Sequence, residues 1–194
     1  MVRWKPGARE RLQAAALERF GAQGFDGTTV AEIAATAGLT ERTFFRHFAD
    51  KREVLFAGQD EFERLFVAGI EETPEDTAAG PMSIVAAALE GATVFFPDDR
   101  RAWSRARQGV IDADPGLQER ELLKLSGLAA AMTDGLRRRG IDPIAAALAA
   151  ESGVAVFRVG FATWIAEGEE RPLAAVLRAV LAELRTLVAV PSPT

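Results

Sequence analysis

Several residue types that carry chemistry are scarce in this chain of 194 residues. Cysteine is absent, which excludes disulfides and thiolate metal sites, and only one histidine is present. No glycine-rich phosphate loop, nucleophile elbow or HExxH motif occurs. Adjacent acids such as Asp98-Asp99 are typical of helix ends and solvated surface rather than of a catalytic pair. These absences argue against an enzyme, and we expect neither a metal nor a cofactor.

The chain also lacks a hydrophobic run long enough to cross a membrane without a charge in it. Its most apolar stretch, residues 144–165, is interrupted by Glu151 and Arg158, so it predicts a buried helix. The first residues, MVRWKPGARERLQ, contain no apolar signal core. Hydrophobic content of 48% with charged content of 26% is typical of soluble globular proteins. We therefore expect a cytoplasmic protein that does not bind a membrane.

Strand-like alternation is missing as well, and Ala, Leu, Glu and Arg dominate, which predicts an all-α protein. Glycine, proline and capping residues divide the chain into about nine predicted helices. They are expected near residues 6–22, 30–37, 40–47, 51–71, 82–96, 100–113, 116–139, 143–167 and 172–190. The segment 71–81 is polar and rich in turn formers, so it marks a domain boundary. We expect a first domain at 1–52, a linker helix at 51–71 and a second domain at 72–194.

The most informative feature is a pair of short helices joined by a glycine within residues 28–51. Thr29 followed by Glu32 predicts a capping box at the start of the first helix. Gly38 can adopt the positive φ of a tight helix exit, and Thr40 is the next N-cap. This arrangement is typical of helix-turn-helix segments, in which the second helix enters the DNA major groove.

The second of these helices has two different faces. Phe44 and Phe48 lie four residues apart on one face and are predicted to be buried. Arg42, Thr43, Arg46 and His47 point elsewhere, and this donor-rich set suits a helix that faces phosphates. The alternative is that both arginines are solvated surface charges and that His47 caps or packs, since capped helix pairs occur in many proteins that never bind DNA.

Charge is distributed unevenly along the chain. Residues 1–52 hold nine Lys/Arg and six Asp/Glu, a balance of +3, whereas residues 53–194 have a balance of −8. A basic N-terminal segment followed by an acidic remainder is expected if only the N-terminal segment binds phosphates. A difference of this size also arises by chance, so it supports the helix-turn-helix interpretation without establishing it.

The segment from Ala8 to Leu55 closely resembles the N-terminal domain of TetR-family transcriptional regulators. The matching pieces are ERFGAQGFDGTTV, AEIAATAGLT and TFFRHFADKREVL. The resemblance implies that double-stranded operator DNA is the partner and that the helix from Thr40 to His47 reads it. The residues implied in this contact are Thr29, Thr40, Arg42, Thr43, Phe45, Arg46, His47 and Lys51.

The resemblance also implies a role for each of these side chains. Thr40 caps the recognition helix, and Arg42 and Thr43 face the groove or its walls. Phe45 packs on the sugar-phosphate backbone, while Thr29, His47 and Lys51 lie beside phosphates. Phe45 departs from the family, which most often has tyrosine there. The missing phenolic hydrogen bond implies either slightly weaker binding or a larger contribution from Arg46 and the N-terminal residues Arg3, Lys5 and Arg9.

The same resemblance implies a homodimer formed through the last two helices. Ala145 to Gly160 is crowded with small residues, and the last helix has a broad apolar face. That face comprises Leu173, Val176, Leu177, Val180, Leu181, Leu184 and Leu187. The alternative is that both helix faces are satisfied within one subunit.

The second domain is expected to hold a small-molecule effector. The segment WSRARQGVIDADPGLQERELLKL resembles, more loosely, an actinobacterial subgroup that includes regulators of the mycofactocin type. Some of that subgroup respond to acyl-CoA thioesters, which implies a hydrophobic or acyl-type effector. Candidate lining residues are Phe66, Phe95, Phe96, Trp103, Met132, Phe157, Phe161 and Trp164, with Arg107, Gln108 and Arg158 as polar groups. Each is also explained as core, and Arg158 as an interfacial ion-pair partner.

The predicted function is a ligand-responsive repressor released from a palindromic operator. The effector is expected to tilt the linker helix at 51–71 and so change the separation of two recognition helices. The rival is an all-helical small-molecule carrier or enzyme that uses the same apolar domain. Such an enzyme would have to work with a single histidine, which lies in the helix predicted to contact DNA.

Overall fold

Helices make up the fold, as predicted. The computed structural model describes residues 7–74 and 80–189, and within these ranges it contains α-helices, two 3-10 turns and no strand. The α-helices are α1 Ala8–Gln23, α2 Val30–Thr36, α3 Glu41–His47, α4 Glu53–Phe56, α5 Gln59–Glu72, α6 Pro81–Ala92, α7 Arg101–Asp112, α8 Pro115–Arg138, α9 Pro143–Trp164 and α10 Leu173–Val188. The 3-10 turns are Thr93–Phe95 and Asp98–Arg100.

The predicted linker helix at 51–71 is broken, which corrects the sequence-based expectation. Its start is right, because Asp50 Oδ1 accepts hydrogen bonds from the backbone N–H groups of Arg52 and Glu53 at 2.7 and 3.0 Å. The helix then stops after Phe56, and Gly58 has a φ of 96°, which a helix does not allow. Two separate helices, α4 and α5, replace the single predicted linker helix.

The chain divides into two compact units, and the first is not continuous in sequence. It contains the described residues up to Gln59 together with Trp103–Glu121. Val110, Ile111 and Leu117 from the second segment are buried in the same apolar cluster as the side chains of α1, α3 and α4. The end of α7 and the start of α8, which we placed in the second domain, therefore complete the core of the first unit.

The second unit is built around α9. A Cβ atom added at Gly153 would lie 2.5 Å from Val85 Cγ1, and one added at Gly160 would lie 2.5 Å from Leu177 Cδ2. Both glycines therefore permit close contacts, Gly153 with α6 and Gly160 with α10. Helix Pro143–Ile165 is long and apolar enough to cross a membrane by length and composition. Its small-residue side nevertheless packs inside the unit, as expected for a core helix.

Much of the apolar face of α10, which was expected to form the dimer interface, lies inside its own unit. Leu173, Val176, Leu177 and Leu181 are buried, and Val180 and Leu184 pack against the same core. For these residues the alternative, satisfaction within one subunit, is the one observed. The large apolar side chains of α9 and α10 that stay exposed are Ile144, Leu148, Val159, Leu187 and Val188.

Candidate nucleic-acid interface

Helix α2 begins with the predicted capping box. Thr29 Oγ1 accepts a hydrogen bond from Glu32 N at 3.2 Å, and Glu32 Oε2 accepts one from Thr29 N at 2.8 Å. Arg19 and Gln23 from α1 donate to the same carboxylate group at 3.0 and 3.2 Å. These hydrogen bonds, led by the Thr29 backbone N–H, lower the pKa of Glu32 to about 2. The carboxylate thus ties the start of α2 to α1.

Glu32 is expected to make stability depend on pH. Its pKa is near 4.5 in an unfolded chain and lower in the folded one, so its stabilising contribution is present above pH 4.5 and is lost as the pH falls toward 2. A Glu32→Gln variant should therefore melt below wild type at pH 7, with the difference shrinking at pH 4 and closing near pH 2. Thermal unfolding followed by circular dichroism measures this. Glu41→Gln, at an exposed carboxylate, is the control, and a pH-independent difference for Glu32→Gln would contradict the assignment.

The turn between α2 and α3 is held from α1. Gly38 adopts a φ of 63°, and the N–H of Leu39 donates to Ala34 O at 2.8 Å, which closes the end of α2. Arg11 Nη2 donates to the carbonyl oxygen of Ala37 and, at 3.5 Å, to that of Gly38. The guanidinium group thereby binds carbonyls left free at the end of the helix. Arg11 fixes the angle at which the chain enters α3.

Helix α3 separates its two faces as predicted. Thr40 Oγ1 accepts a hydrogen bond from Thr43 N at 3.2 Å and caps the helix. Phe44 is 0% exposed and Phe48 is 4% exposed, which confirms them as core. The neighbouring Phe45 is 55% exposed, with its ring edge-on to Phe44 at a centroid distance of 5.5 Å. A large apolar ring is therefore held in solvent on a rigid helix.

The outward face of α3 is cationic. Arg42 and Arg46 are exposed, and neither forms an ion pair or hydrogen bond with a described residue. Thr43 is half-buried beside Thr40, with the two hydroxyl oxygens 3.0 Å apart. We call the set Arg42, Thr43, Phe45 and Arg46 the outward face. Arg3 and Lys5, which were expected to assist it, lie outside the described residues, whereas Arg9 is exposed on α1.

His47 lies at the end of α3 and is half-buried. Its Nε2 atom is enclosed and has no hydrogen-bond partner among the described residues. Its ring lies 6.3 Å from the ring of Phe48, centroid to centroid. His47 thus packs beside the core at the end of α3.

Lys51 binds backbone carbonyl groups of the first unit. Its Nζ atom donates to the carbonyl oxygens of Phe25 and Thr28 at 2.7 and 2.8 Å and lies 4.2 Å from the centre of the Phe25 ring. The ammonium group was expected to pair with a phosphate, but two of its three hydrogens are used to hold the loop before α2. Its main contacts in the structure are therefore intramolecular.

Replacing Lys51 with alanine is expected to destabilise the first unit. Two carbonyl groups lose their charged donor, which costs about 1–3 kcal/mol. Urea denaturation measures the change. Arg52→Ala removes the same charge one residue later. The Arg52 side chain is 55% exposed, and its ion pair with Asp50 Oδ2 is long, at 3.8 Å. That control should stay within about 0.5 kcal/mol of wild type. Equal stability of the two variants would contradict the role assigned to Lys51.

The aromatic residues predicted to line an effector site are packed together in the second unit. Phe62 lies at the centre, with ring centroids 5.1 Å from Phe66 and 4.9 Å from Phe157. Phe161 stacks between Phe157 and Trp164 at 5.7 and 5.8 Å. Met132 is fully buried in the same core. The structure brings seven of the predicted residues into one apolar cluster, because Phe95 and Phe96 also pack against Phe62.

Three other predicted lining residues lie in the first unit. They are Trp103, Arg107 and Gln108 on α7. Arg107 Nε donates to Leu55 O at 2.7 Å, and Gln108 Nε2 donates to Glu121 Oε2 at 3.0 Å. Both side chains are engaged within the unit that carries α3, so they do not join the aromatic cluster. Arg158, the third polar candidate, is exposed on α9.

An open cleft of about 300 Å³ lies on the second unit. Its walls are the end of α6 with the first 3-10 turn and the start of α10, and Phe96 and Pro97 lie between them. Asp98, which also lines the cleft, is engaged by Arg101 at 2.8 Å and by Trp164 Nε1 at 3.4 Å. Of the aromatic residues predicted to line a pocket, Phe96 borders this cleft.

Two family models match most of the chain between them. Residues 12–57 match the model of bacterial regulatory proteins of the tetR family. Residues 79–189, more than half of the chain, match the MftR C-terminal domain, which is a C-terminal model of TetR proteins. The chain belongs to the TetR family. This membership confirms the resemblance found in the helix-turn-helix segment and in the second half of the sequence.

Individual TetR-family proteins resemble this chain at modest sequence identity. The HTH-type transcriptional regulator TcmR of Streptomyces glaucescens is 32% identical over 117 residues, which are 60% of this chain and 46% of TcmR. The match thus spans about half the length of that relative. FadR of Bacillus subtilis, solved with stearoyl-CoA, superposes with a TM-score of 0.55 at 20% identity, covering 93% of this chain and 99% of FadR. A regulator from Pseudomonas aeruginosa gives 0.60 at 21%, covering 95% and 92%. These structures support the fold.

Sequence reasoning missed two positioning residues of this TetR-family chain. Arg11 holds the turn at Gly38, and Arg19 holds Glu32. Both lie on α1 among alternating apolar and charged residues that predict a solvated face. Their contacts reach 27 and 13 residues along the chain, and no spacing within α1 indicates these partners.

Proposed function

We propose that the protein is a homodimeric transcriptional repressor that binds a palindromic DNA operator and is released by a hydrophobic effector. The outward face of α3 carries the proposal. It presents two arginines and an exposed aromatic ring on a helix whose opposite side is anchored in the core. Solvated arginines without acidic partners are available for phosphate oxygens and base edges. The membership of the TetR family supports the same role.

The contacts of the DNA complex follow from this placement. Arg42 is near the start of α3 and has a free guanidinium fork, which suits O6 and N7 of guanine. Phe45 and Arg46 take the sugar-phosphate backbone, with Thr43 at the groove wall. Thr29 and Thr40 lie at the starts of α2 and α3, where first-turn N–H groups that the caps do not use favour an anion. His47, half-buried at the end of α3, is proposed to lie beside a phosphate.

A second copy of the chain is needed for specificity, since one helix reads only a few base pairs. The exposed apolar side chains of α9, namely Ile144, Leu148 and Val159, lie on its side opposite Gly153. Leu187 and Val188 are exposed at the end of α10. These exposed apolar side chains suit burial against the same residues of another subunit, which supports a twofold dimer. We place the interface on this exposed side rather than on the buried face of α10.

Leu148→Arg is the variant expected to separate the subunits. A charge placed at a position that is 64% exposed in one subunit leaves its fold intact but is unfavourable in an apolar interface. Light scattering after gel filtration should show a dimer for wild type and a monomer for the variant. Ala147→Arg, at an exposed position on the same helix, is a charge-matched comparison. A wild-type monomer would contradict the proposed dimer.

The aromatic cluster of the second unit is the proposed effector site. Phe66, Met132, Phe157, Phe161 and Trp164 form an apolar environment that suits an acyl chain. The stearoyl-CoA complex of FadR supports an acyl-type ligand for this fold. Trp103, Arg107 and Gln108 are left out of this site because they belong to the first unit.

The decisive experiment selects fragments of the source genome with the purified protein and footprints the enriched DNA. A protected palindrome supports the proposal and supplies the operator. A variant with both Arg42→Ala and Arg46→Ala should enrich nothing, since two cations are lost from the outward face. If wild type enriches no fragment at low salt, the proposal fails and a small-molecule carrier becomes the better interpretation.

A further inference from the structure

A buried arginine from α7 holds the short helix that follows the recognition helix. The Arg107 side chain is 14% exposed. Its Nε atom donates to Leu55 O at 2.7 Å, and its Nη1 atom donates to Glu121 Oε1 at 3.2 Å. The guanidinium carbon lies 5.1 Å from the centre of the Phe56 ring. One cation therefore contacts the backbone and a side chain of α4 and an acid of α8.

Helix α4 depends on such contacts for its position. It has four residues, too few to be stable alone. Its other end is held from the same hairpin, because Arg120 donates to Glu53 Oε1 through Nη2 at 2.6 Å and Nε at 3.1 Å. Both arginines belong to the segment Trp103–Glu121, which packs in the first unit. The hairpin formed by the end of α7 and the start of α8 thus fixes α4 at both ends.

The cost of burying Arg107 indicates that it does more than fill space. Burial lowers the pKa of Arg107, and Glu121 opposes that shift. An apolar side chain would fill a similar volume without this desolvation cost. What the charged pair adds is direction, because a guanidinium fork has fixed angles to its acceptors. Since its donors are turned toward Leu55 and Glu121, Arg107 is not placed to contact DNA directly.

We propose that Arg107, oriented by Glu121, is a positioning residue for operator recognition, acting through α4 on the placement of α3. Helix α4 follows α3 after a short connection, and Phe44, Phe48, Leu55 and Phe56 share one buried cluster. A shift of α4 therefore displaces the anchor of the outward face. The proposal rests on the proposed DNA-binding function and adds the internal contact that sets its affinity.

The test compares Arg107→Met and Glu121→Gln with wild type on the footprinted operator and on unrelated DNA, at several salt concentrations. Arg107→Met should weaken operator binding about tenfold while leaving binding to unrelated DNA unchanged. The salt dependence should keep the wild-type slope, because no phosphate contact is removed, whereas loss of a phosphate-binding side chain lowers it by about one. Glu121→Gln should have a smaller effect in the same direction and add nothing to Arg107→Met.

Arg137→Met is the matched control, since this arginine is 56% exposed on α8 and lies 3.8 Å from Asp134. Circular dichroism establishes that each variant is folded at the assay temperature. If Arg107→Met does not fold, Glu121→Gln decides, because it keeps the arginine and the shape of the acid. Operator affinity equal to wild type in folded Glu121→Gln and Arg107→Met, or in Glu121→Gln alone when the other is unfolded, overturns the proposal. So does a reduced salt slope. A wild-type protein that protects no DNA overturns the proposed function instead.

Discussion

Phe44→Ala is expected to unfold the recognition helix, with a loss of about 3–5 kcal/mol in the free energy of unfolding. Phe44 is 0% exposed and contacts the rings of Phe45 and Phe48. Helix α3 has seven residues and owes its stability to this buried side rather than to its own hydrogen bonds. Urea denaturation, together with hydrogen exchange of the α3 amides, measures the loss.

Phe45→Ala is the matched control, because it makes the same change one residue later. Its ring is 55% exposed, so stability should stay within about 0.5 kcal/mol of wild type. Operator affinity should nevertheless fall, since the exposed ring is proposed to pack on the DNA backbone. The two adjacent phenylalanines thus separate folding from binding. Loss of stability in Phe45→Ala, or retention of it in Phe44→Ala, would show that the faces of α3 are assigned incorrectly.

Arg42→Ala is expected to relax base preference at one or two positions of each half-site. A bidentate contact with guanine is worth about 1–3 kcal/mol, so discrimination at that position should fall roughly 10- to 100-fold. Binding to single-base variants of the footprinted operator measures the effect. Arg46→Ala should instead weaken all sequences alike and lower the salt slope, because its proposed partner is a phosphate.

Arg137→Ala removes the same side chain from an exposed position on α8 and controls for the change in net charge. Its operator preference should match that of wild type. An Arg42→Ala protein that keeps every base preference would mean that another side chain reads the groove. Thr43 is the next candidate, since it lies beside Thr40 at the start of the same helix.

The local features of the fold were predictable because their physics is local. The capping box at Thr29 and Glu32 and the cap at Thr40 each involve a hydrogen bond three residues along the chain. Asp142 likewise caps α9 by accepting from Ile144 N and Ala145 N at 3.0 and 3.2 Å. Burial of Phe44 and Phe48 followed from helical periodicity. These signals need no knowledge of distant residues.

The break in the predicted linker helix at 51–71 could not be predicted from such local signals. Residues 51–71 have a start signal and a helical apolar pattern, and a single glycine in such a pattern is only a weak sign of a break. The break at Gly58 reflects the two units on either side of it: α4 packs in the first core, and Phe62 and Phe66 pack in the second. The two halves of this segment therefore pack in different cores.

The contacts of Arg107 and Lys51 could not be predicted from the sequence either. Arg107 is 52 residues from Leu55, and Lys51 is 26 residues from Phe25. Both side chains donate to backbone carbonyl groups, which every residue has. The sequence around Leu55 or Phe25 therefore gives no signal that predicts the contact. A phosphate role for Lys51 and a pocket role for Arg107 were reasonable from residue type. Only the tertiary structure shows which acceptors lie within reach.

The sequence by itself determined that this chain is helical, that it contains a helix-turn-helix, and which side of the recognition helix faces inward. Capping hydrogen bonds join residues two or three positions apart, and the helical repeat fixes which residues share a face, so both can be predicted from consecutive residues. The tertiary structure decided that Trp103–Glu121 completes the first unit and that Leu173, Leu177 and Leu181 of α10 pack inside their own subunit. Those outcomes depend on which apolar surfaces meet, and burial favours any well-packed apolar partner without regard to its place in the chain.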